Sequence, residues 1–261
     1  MSHRNLNGRR ALITGASSGI GRALAIEFAR HGVDVVLLAR RQERLAEVAS
    51  QVTALGRRAI LIAGDVTDAD ARRRALEAAR DELGGLDLLI NNAGIAAHGR
   101  FAEASPERLR PIMEVNFFAP VELIRESIPL LRAGERPMVV NIGSILGERG
   151  SPHKSEYSAS KFALHGFSQA VRPELARLGI DVLVVAAGPT ETEHFDVLIE
   201  GTADLPWRAP PRMPASEAAR TIVRAIERGR RTIVTGWRGK LLLWGNRLFP
   251  GIVDRAMRRY G

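Results

Sequence analysis

The sequence predicts an α/β protein built on a doubly wound parallel sheet with helices on both faces. Three observations lead to that class. Short apolar runs alternate with helix-like segments along most of the chain, the pattern of a parallel sheet buried on both sides. A glycine-rich turn joins the first apolar run to the first helical segment. Small and polar residues then recur just past the apolar runs, at the carboxyl ends of the strands, where ligands gather in open sheets of this kind.

The first apolar run covers residues 10–14 and ends in Gly15-Ala16-Ser17-Ser18-Gly19-Ile20-Gly21, after which a helical segment over 22–31 closes at Gly32. Strand, glycine turn and helix place a phosphate at a helix N-terminus, where free N–H groups and the dipole favour an anion. The glycines let backbone and ligand approach closely. Their spacing is Gly-x-x-x-Gly-x-Gly rather than Gly-x-Gly-x-x-Gly. The placement predicts a Rossmann-type dinucleotide site, although such a turn also occurs as a turn alone. Residues 33–38 read as the second buried strand, with Asp34 at its start and Ala39-Arg40-Arg41 at its carboxyl end. No carboxylate stands there to repel a 2′-phosphate, and two guanidinium groups stand where they would bind one. NADP(H) is therefore expected in preference to NAD(H). The plainer reading is that Arg40 and Arg41 open a surface helix over 41–55.

The alternation continues with a strand over 59–63, a loop and helix cap at Asp65-Val66-Thr67-Asp68, and a charged helix over 70–83. A strand over 86–90 ends in Asn91-Asn92-Ala93-Gly94. Helices are expected over about 106–115 and about 120–131. A strand over 137–142 then ends in Gly143-Ser144, and another over 180–185 leads to Gly188-Pro189. Between those two strands lies Ser155-Glu156-Tyr157-Ser158-Ala159-Ser160-Lys161, free of Gly and Pro until Gly166 and so read as the first turns of a helix. Positions four apart share a helix face, so Tyr157 and Lys161 point the same way. A free phenol has a pKa of about 10. A cation beside it favours the phenolate and draws that value toward neutrality. The two side chains thus form a candidate proton-transfer pair.

Composition sets limits on other readings. A chain of 261 residues, 45% hydrophobic and 26% charged, is expected to form a single globular domain over 1–261. The absence of Cys excludes disulfides, thiolate nucleophiles and Cys-based zinc or iron–sulfur sites. The six histidines show no ligand spacing, so no catalytic metal is expected, and a surface role is expected for each, with His98 and His153 as pocket candidates. The net charge of +9 comes mostly from Arg scattered among acids, so no nucleic-acid partner is expected. The polar, basic first ten residues do not resemble a signal peptide, and no run of roughly 18 apolar residues appears, which makes a cytoplasmic location the expectation.

With these pieces in order, the chain resembles the short-chain dehydrogenase/reductase family over about residues 8–234. Thr14 to Gly21 is similar to the family's cofactor turn, Asn91-Asn92-Ala93-Gly94 to its fourth-strand motif, and Tyr157-x-x-x-Lys161 to its catalytic motif, preceded by Ser144. The resemblance implies Tyr157 as the acid-base, Lys161 lowering its pKa and binding the nicotinamide ribose, and Ser144 bonding the substrate oxygen. It implies Asn116 completing a proton relay through water. Cofactor contacts are implied at Gly15, Ser17, Ser18, Gly19, Ile20 and Gly21. Others are implied at Arg40, Arg41, Asp65, Val66, Asn92, Ala93, Gly94, Gly188, Pro189 and Thr192, with Tyr157 and Lys161 themselves. A carbonyl reductase or alcohol dehydrogenase, working as a homodimer or homotetramer, is the implied protein. Ala187-Gly188-Pro189 departs from the family's usual Pro-Gly, and Pro173 is expected to kink the Tyr157 helix late.

Two stretches stay open. Residues 189–216 read as a substrate lid, and Phe195, Val197, Leu198, Ile199 and Trp207 within it suggest a hydrophobic substrate. The tail over 237–261 mixes Trp, apolar and basic residues, which suits an anionic membrane surface, a neighbouring subunit or the substrate pocket. Two rival functions accompany the enzyme reading: a non-catalytic nucleotide-binding redox sensor, and a membrane-surface protein acting through its tail.

Overall fold

A computed structural model of the chain describes residues 3–191 and 211–260. Among them, strands β1 (Arg10–Thr14), β2 (Asp34–Ala39), β3 (Ala59–Ala63), β4 (Leu88–Asn91), β5 (Met138–Ile142), β6 (Asp181–Ala186) and β7 (Thr232–Val234) form one parallel sheet in the order β3-β2-β1-β4-β5-β6-β7. The chain builds outward from β1 to β3 and then returns to start β4 on the other side of β1. The carboxyl ends of β1 and β4 flank this reversal, the place where an open α/β sheet holds a ligand.

All six residues of β2 are buried, which only a sheet covered on both faces requires. Alternate side chains serve opposite faces. Val35 and Leu37 join Ala11, Ile13, Ile90 and Val140 under α1 (Gly19–Arg30), α2 (Gln42–Ala54) and α7 (Ala215–Glu227). Val36 and Leu38 join Leu12, Leu89 and Val139 under α3 (Ala69–Asp81), α5 (Ala119–Arg132) and α6 (Ser155–Ala176). The amino ends of the strands are held by ion pairs. Arg10 forks onto the buried Asp87 at 2.9 and 2.8 Å, Asp34 takes Arg57 and Arg58, and the buried Arg4 donates to Asp181 at 2.7 Å. Asp34 thus belongs to the end of the sheet away from the ligand side.

Several boundaries differ from the sequence reading. Helix α1 begins at Gly19, so the end of the glycine turn is the helix's own first turn. The two helices expected over 106–131 form one path. A 3₁₀ turn (Pro106–Arg108) and α4 (Leu109–Met113) run through a π-helical turn, Glu114–Phe118, into α5. The Ala119 N–H donates to the Glu114 carbonyl across that turn, which admits one extra residue without breaking the helix. Helix α6 continues through Pro173 to Ala176, the proline forfeiting one intrahelical hydrogen bond near the helix end. The tail forms α8 (Trp237–Leu248) and α9 (Pro250–Met257). No helix among the described residues is long and apolar enough to cross a membrane.

Candidate active site

The carboxyl ends of the strands open on a cavity of about 1220 Å³ that runs across the reversal point. At one end, Gly15, Ser17, Ser18, Gly19 and Ile20 line it at the start of α1. Ser18 caps that helix without a side-chain hydrogen bond, and its first turn carries no acidic residue. Its N–H groups and the positive end of its dipole therefore face the cavity uncompensated by protein carboxylates, which suits a phosphate. Gly21 stands behind the wall: a Cβ there would lie 2.4 Å from the Gly15 carbonyl oxygen and 2.5 Å from Asn92 Nδ2. It lets helix and turn touch rather than meeting a ligand.

The Asn92 amide explains the fourth-strand motif. It donates to the Thr14 carbonyl at 2.9 Å and to the Gly15 carbonyl at 3.2 Å, while Thr14 Oγ1 accepts from the N–H groups of Asn92 and Ala93 at 2.9 and 3.0 Å. The motif thus pins the glycine turn to β4 and leaves Asn92, Ala93 and Gly94 on the cavity wall. Beyond β2 and β3, Arg40, Arg41, Asp65 and Val66 line the same end. Arg41 donates to Ser17 Oγ at 3.3 Å, a link between the second strand and the glycine turn that no local sequence pattern signals. Arg40 is two-thirds exposed, with Nη1 3.9 Å from Asp65 Oδ2. Asp65 Oδ1 accepts from the Thr67 N–H and hydroxyl, both at 2.9 Å, which fixes the loop after β3.

The opposite end carries Ser144, Tyr157 and Lys161, together with Gly188 and Pro189. Ser144 Oγ caps the 3₁₀ turn Ile145–Gly147 by accepting from the Leu146 N–H at 3.1 Å. That turn can lie tight on α6 because of its flanking glycine: a Cβ at Gly143 would sit 2.1 Å from His165 Nε2. The approach brings Ser144 to the same stretch of cavity wall as Tyr157, near enough to lower the proton affinity of its hydroxyl. One turn on, Lys161 Nζ donates to the Ile142 carbonyl at 3.1 Å and lies 5.8 Å from the centre of the Tyr157 ring.

Burial sets the proton affinities here. The Tyr157 phenol is pushed up to about 12 by desolvation, with the Ser144 hydrogen bond pulling the other way. Lys161 is brought down to about 8 by the same burial. The expectation that Lys161 draws the phenol below its ordinary value does not hold in this structure. The ammonium donates to the Ile142 carbonyl, and the loss of water around the buried phenol sets the direction of its shift.

Asn116 is fully buried and does not reach the cavity. Its Oδ1 accepts from the Ile95 N–H at 2.9 Å, and its Nδ2 donates to the Ile95 carbonyl and to Ser160 Oγ, each at 2.9 Å. Both amide protons are in use, so the side chain braces the wall at Ile95 and the turn of α6 between Tyr157 and Lys161. The loop after β6 is held by Gly188 N–H donating to Thr235 Oγ1 at 3.0 Å and Met213 N–H to the Pro189 carbonyl at 2.9 Å, so its unusual Ala187-Gly188-Pro189 remains ordered. Thr192 and the apolar residues expected as a lid lie outside the described residues.

The sequence reading missed several neighbours of the site. Ile95, Ile145, Leu146 and, from the tail, Leu242 and Met257 give this end of the cavity an apolar wall. His98 and His165 are buried rather than on the surface, and burial brings each down to about 4, with Lys154 and Arg108 adding to the effect at His98 and Lys161 at His165.

An open parallel sheet with a glycine turn at its reversal point and a buried Ser–Tyr–Lys group across one cavity defines a Rossmann-type nucleotide-binding protein. Comparison with known proteins narrows the class. The family model described as short chain dehydrogenase matches residues 9–202. Ketoacyl reductase HetN of Nostoc sp. is 32% identical, with the match covering 98% of this chain and 90% of the relative. A short chain dehydrogenase from Burkholderia cenocepacia, solved in complex with NADP, has a TM-score of 0.83 at 28% identity and covers 97% of this chain and 99% of its own. A short chain dehydrogenase/reductase from Burkholderia phymatum, solved with NAD, shares the fold with a TM-score of 0.85, 24% identity and 94% coverage of both chains. The chain belongs to the short-chain dehydrogenase/reductase family.

Proposed function

We propose that the protein is an NADP(H)-dependent carbonyl reductase or alcohol dehydrogenase, cytoplasmic and homo-oligomeric, that acts on an apolar carbonyl compound or secondary alcohol. The observation that carries this reading is the placement of Ser144 and Tyr157 together on the cavity wall, with Lys161 one helical turn away. Residues at both ends suit a dinucleotide: uncapped N–H groups at α1 for phosphate, Arg40 and Arg41 for a 2′-phosphate, and the Tyr157–Lys161 face for the nicotinamide side. When bound, the cofactor supplies or accepts a hydride at the substrate carbon.

This chain's own groups handle the proton. Tyr157 Oη, protonated at neutral pH with a value of about 12, gives its proton to the substrate oxygen in reduction and recovers it in oxidation. Ser144 Oγ donates a hydrogen bond to the same oxygen. Lys161 Nζ, 5.8 Å from the ring centre, stabilises the phenolate left behind. Asn116 holds Ile95 and Ser160, and through them the wall and the Tyr157 turn. The apolar Leu146, Leu242 and Met257 on the wall support a hydrophobic substrate, and exposed Leu109, Phe118 and Phe162 support association between copies.

Titration with NADPH and NADH, followed by nicotinamide fluorescence, tests the reading. Tight NADPH binding, weaker NADH binding and loss of the preference in Arg40→Ala are expected. Tyr157→Phe should keep NADPH binding and lose at least about a hundredfold in turnover on any carbonyl the protein reduces. Equal binding of the two cofactors would refute the Arg40 argument alone, whereas binding of neither would favour a protein without this activity.

A further inference from the structure

The tail places an unusual surface beside the cavity. On α8, Trp237, Leu241, Trp244 and Leu248 are 67, 65, 63 and 62% exposed. At 3.6 residues per turn they fall within about 60° of one another, on one stripe opposite Gly239 and Leu243, which face the protein. Phe249 and Ile252 extend the apolar surface into α9 at 58 and 68% exposure. Lys240 and Arg247 flank the stripe on one side and Arg238 on the other, and Arg255, Arg258 and Arg259 follow. Against these six cations the tail has one acid, Asp254, and that is turned onto Arg149 at 2.7 Å. The helices are anchored rather than adrift. Leu243 packs on Ile145 and Ala186, Arg247 reaches Glu148 at 3.3 Å, and Leu242 and Met257 line the cavity from the inner side.

We propose that α8 and α9 dock this protein on the surface of an anionic lipid bilayer. A helix that exposes Trp and Leu on one face with cations at its flanks is built to lie in the interface, the indoles at headgroup level and the cations on lipid phosphates. The charge selects the occupant. Two copies meeting through this face would bring like charges together, whereas an anionic leaflet complements them. Seated in this way, the molecule sets the rim of its cavity, at Leu242 and Met257, beside the lipid. The docking does not depend on the oxidoreductase reading, and its test uses no cofactor.

The test is co-sedimentation of the full chain with vesicles of phosphatidylcholine containing phosphatidylglycerol, beside vesicles of phosphatidylcholine alone. Binding to the anionic vesicles that is at least roughly tenfold stronger, and that falls as salt is raised, is expected. Leu241→Asp with Trp244→Asp should abolish it while the far-ultraviolet dichroism melt stays unchanged, since both side chains are exposed. Replacing Arg255, Arg258 and Arg259 by Ser, which leaves the apolar stripe intact, should weaken binding on the order of a hundredfold. No pelleting of the unaltered chain, or equal pelleting of the Leu241/Trp244 variant, would overturn the proposal. So would a dimer in sedimentation velocity that the same variant dissolves without any vesicle binding, which would assign the face to contact between copies.

Discussion

Lys161 is a buried cation with a carbonyl, not a carboxylate, as its hydrogen-bond acceptor, and no acid lies within ion-pair distance of it among the described residues. Its folded-state value of about 8 lies below the 10.5 of an ordinary lysine. Between those two values the unfolded chain binds the extra proton, so the stability of the protein should rise with pH across that window. At pH 7 the charged, buried ammonium is a burden. Lys161→Met should therefore raise stability on the order of 1–3 kcal/mol near neutrality and lose that advantage as the pH passes from about 8 to above 10. Thermal unfolding at the two ends of that range checks it, and a variant less stable at pH 7 would mean that the Ile142 hydrogen bond outweighs desolvation. The helix spacing alone placed Tyr157 and Lys161 on one face. It could not reveal the sign of the phenol's shift, because that depends on burial by residues far along the chain. For the same reason His98 and His165 were unreadable, since nothing local marks a histidine that a distant turn will cover.

At the scale of elements, the start of α6 is fixed by a buried ion pair. Arg108, from the 3₁₀ turn before α4, reaches Glu156 Oε1 with Nε at 3.0 Å and Nη2 at 2.6 Å, and Ser155 Oγ donates to Glu156 Oε2 at 2.7 Å. The two side chains are only 1% and 7% exposed. Removing one partner strands the other, so Arg108→Met should cost about 3–5 kcal/mol, and adding Glu156→Gln should recover much of it. Chemical denaturation of the single and double variants measures both; equal losses would show that shape rather than charge governs the site. The strands were legible because full burial writes itself as continuous apolar runs. The π-helical turn at Glu114–Phe118 was not, since a single inserted residue leaves helical composition unchanged. Nor was the contact of α8 with the cavity, which rests on Leu242 and Leu243 pointing to different neighbours within one apolar run.

Across the whole molecule, the sheet divides its labour by strand end. Arginine–aspartate pairs close the amino ends at Asp34, Asp87 and Asp181, and the carboxyl ends are left to glycine, serine and asparagine. A ligand that bridges the two halves of the cavity joins groups from both sides of the reversal, and binding to the folded chain alone must raise its stability. NADPH at about a hundred times its dissociation constant should raise Tm by roughly 5–10 °C, and NADH at the same concentration by less. A thermal shift equal for both, or absent, would count against the proposed cofactor. The alternation of strand and helix and the polar motifs after each strand made this plan readable from the sequence. The cross-links that give the cavity its shape, such as Arg41 to Ser17, were not, since they join positions that only the completed fold brings together.

The placement of Trp237 and Trp244 also decides how the protein looks to light. With Trp207 they are the chain's three tryptophans, and both α8 indoles stand mostly in solvent. Their share of the native emission should therefore be that of wetted indole, and denaturant should shift that share little.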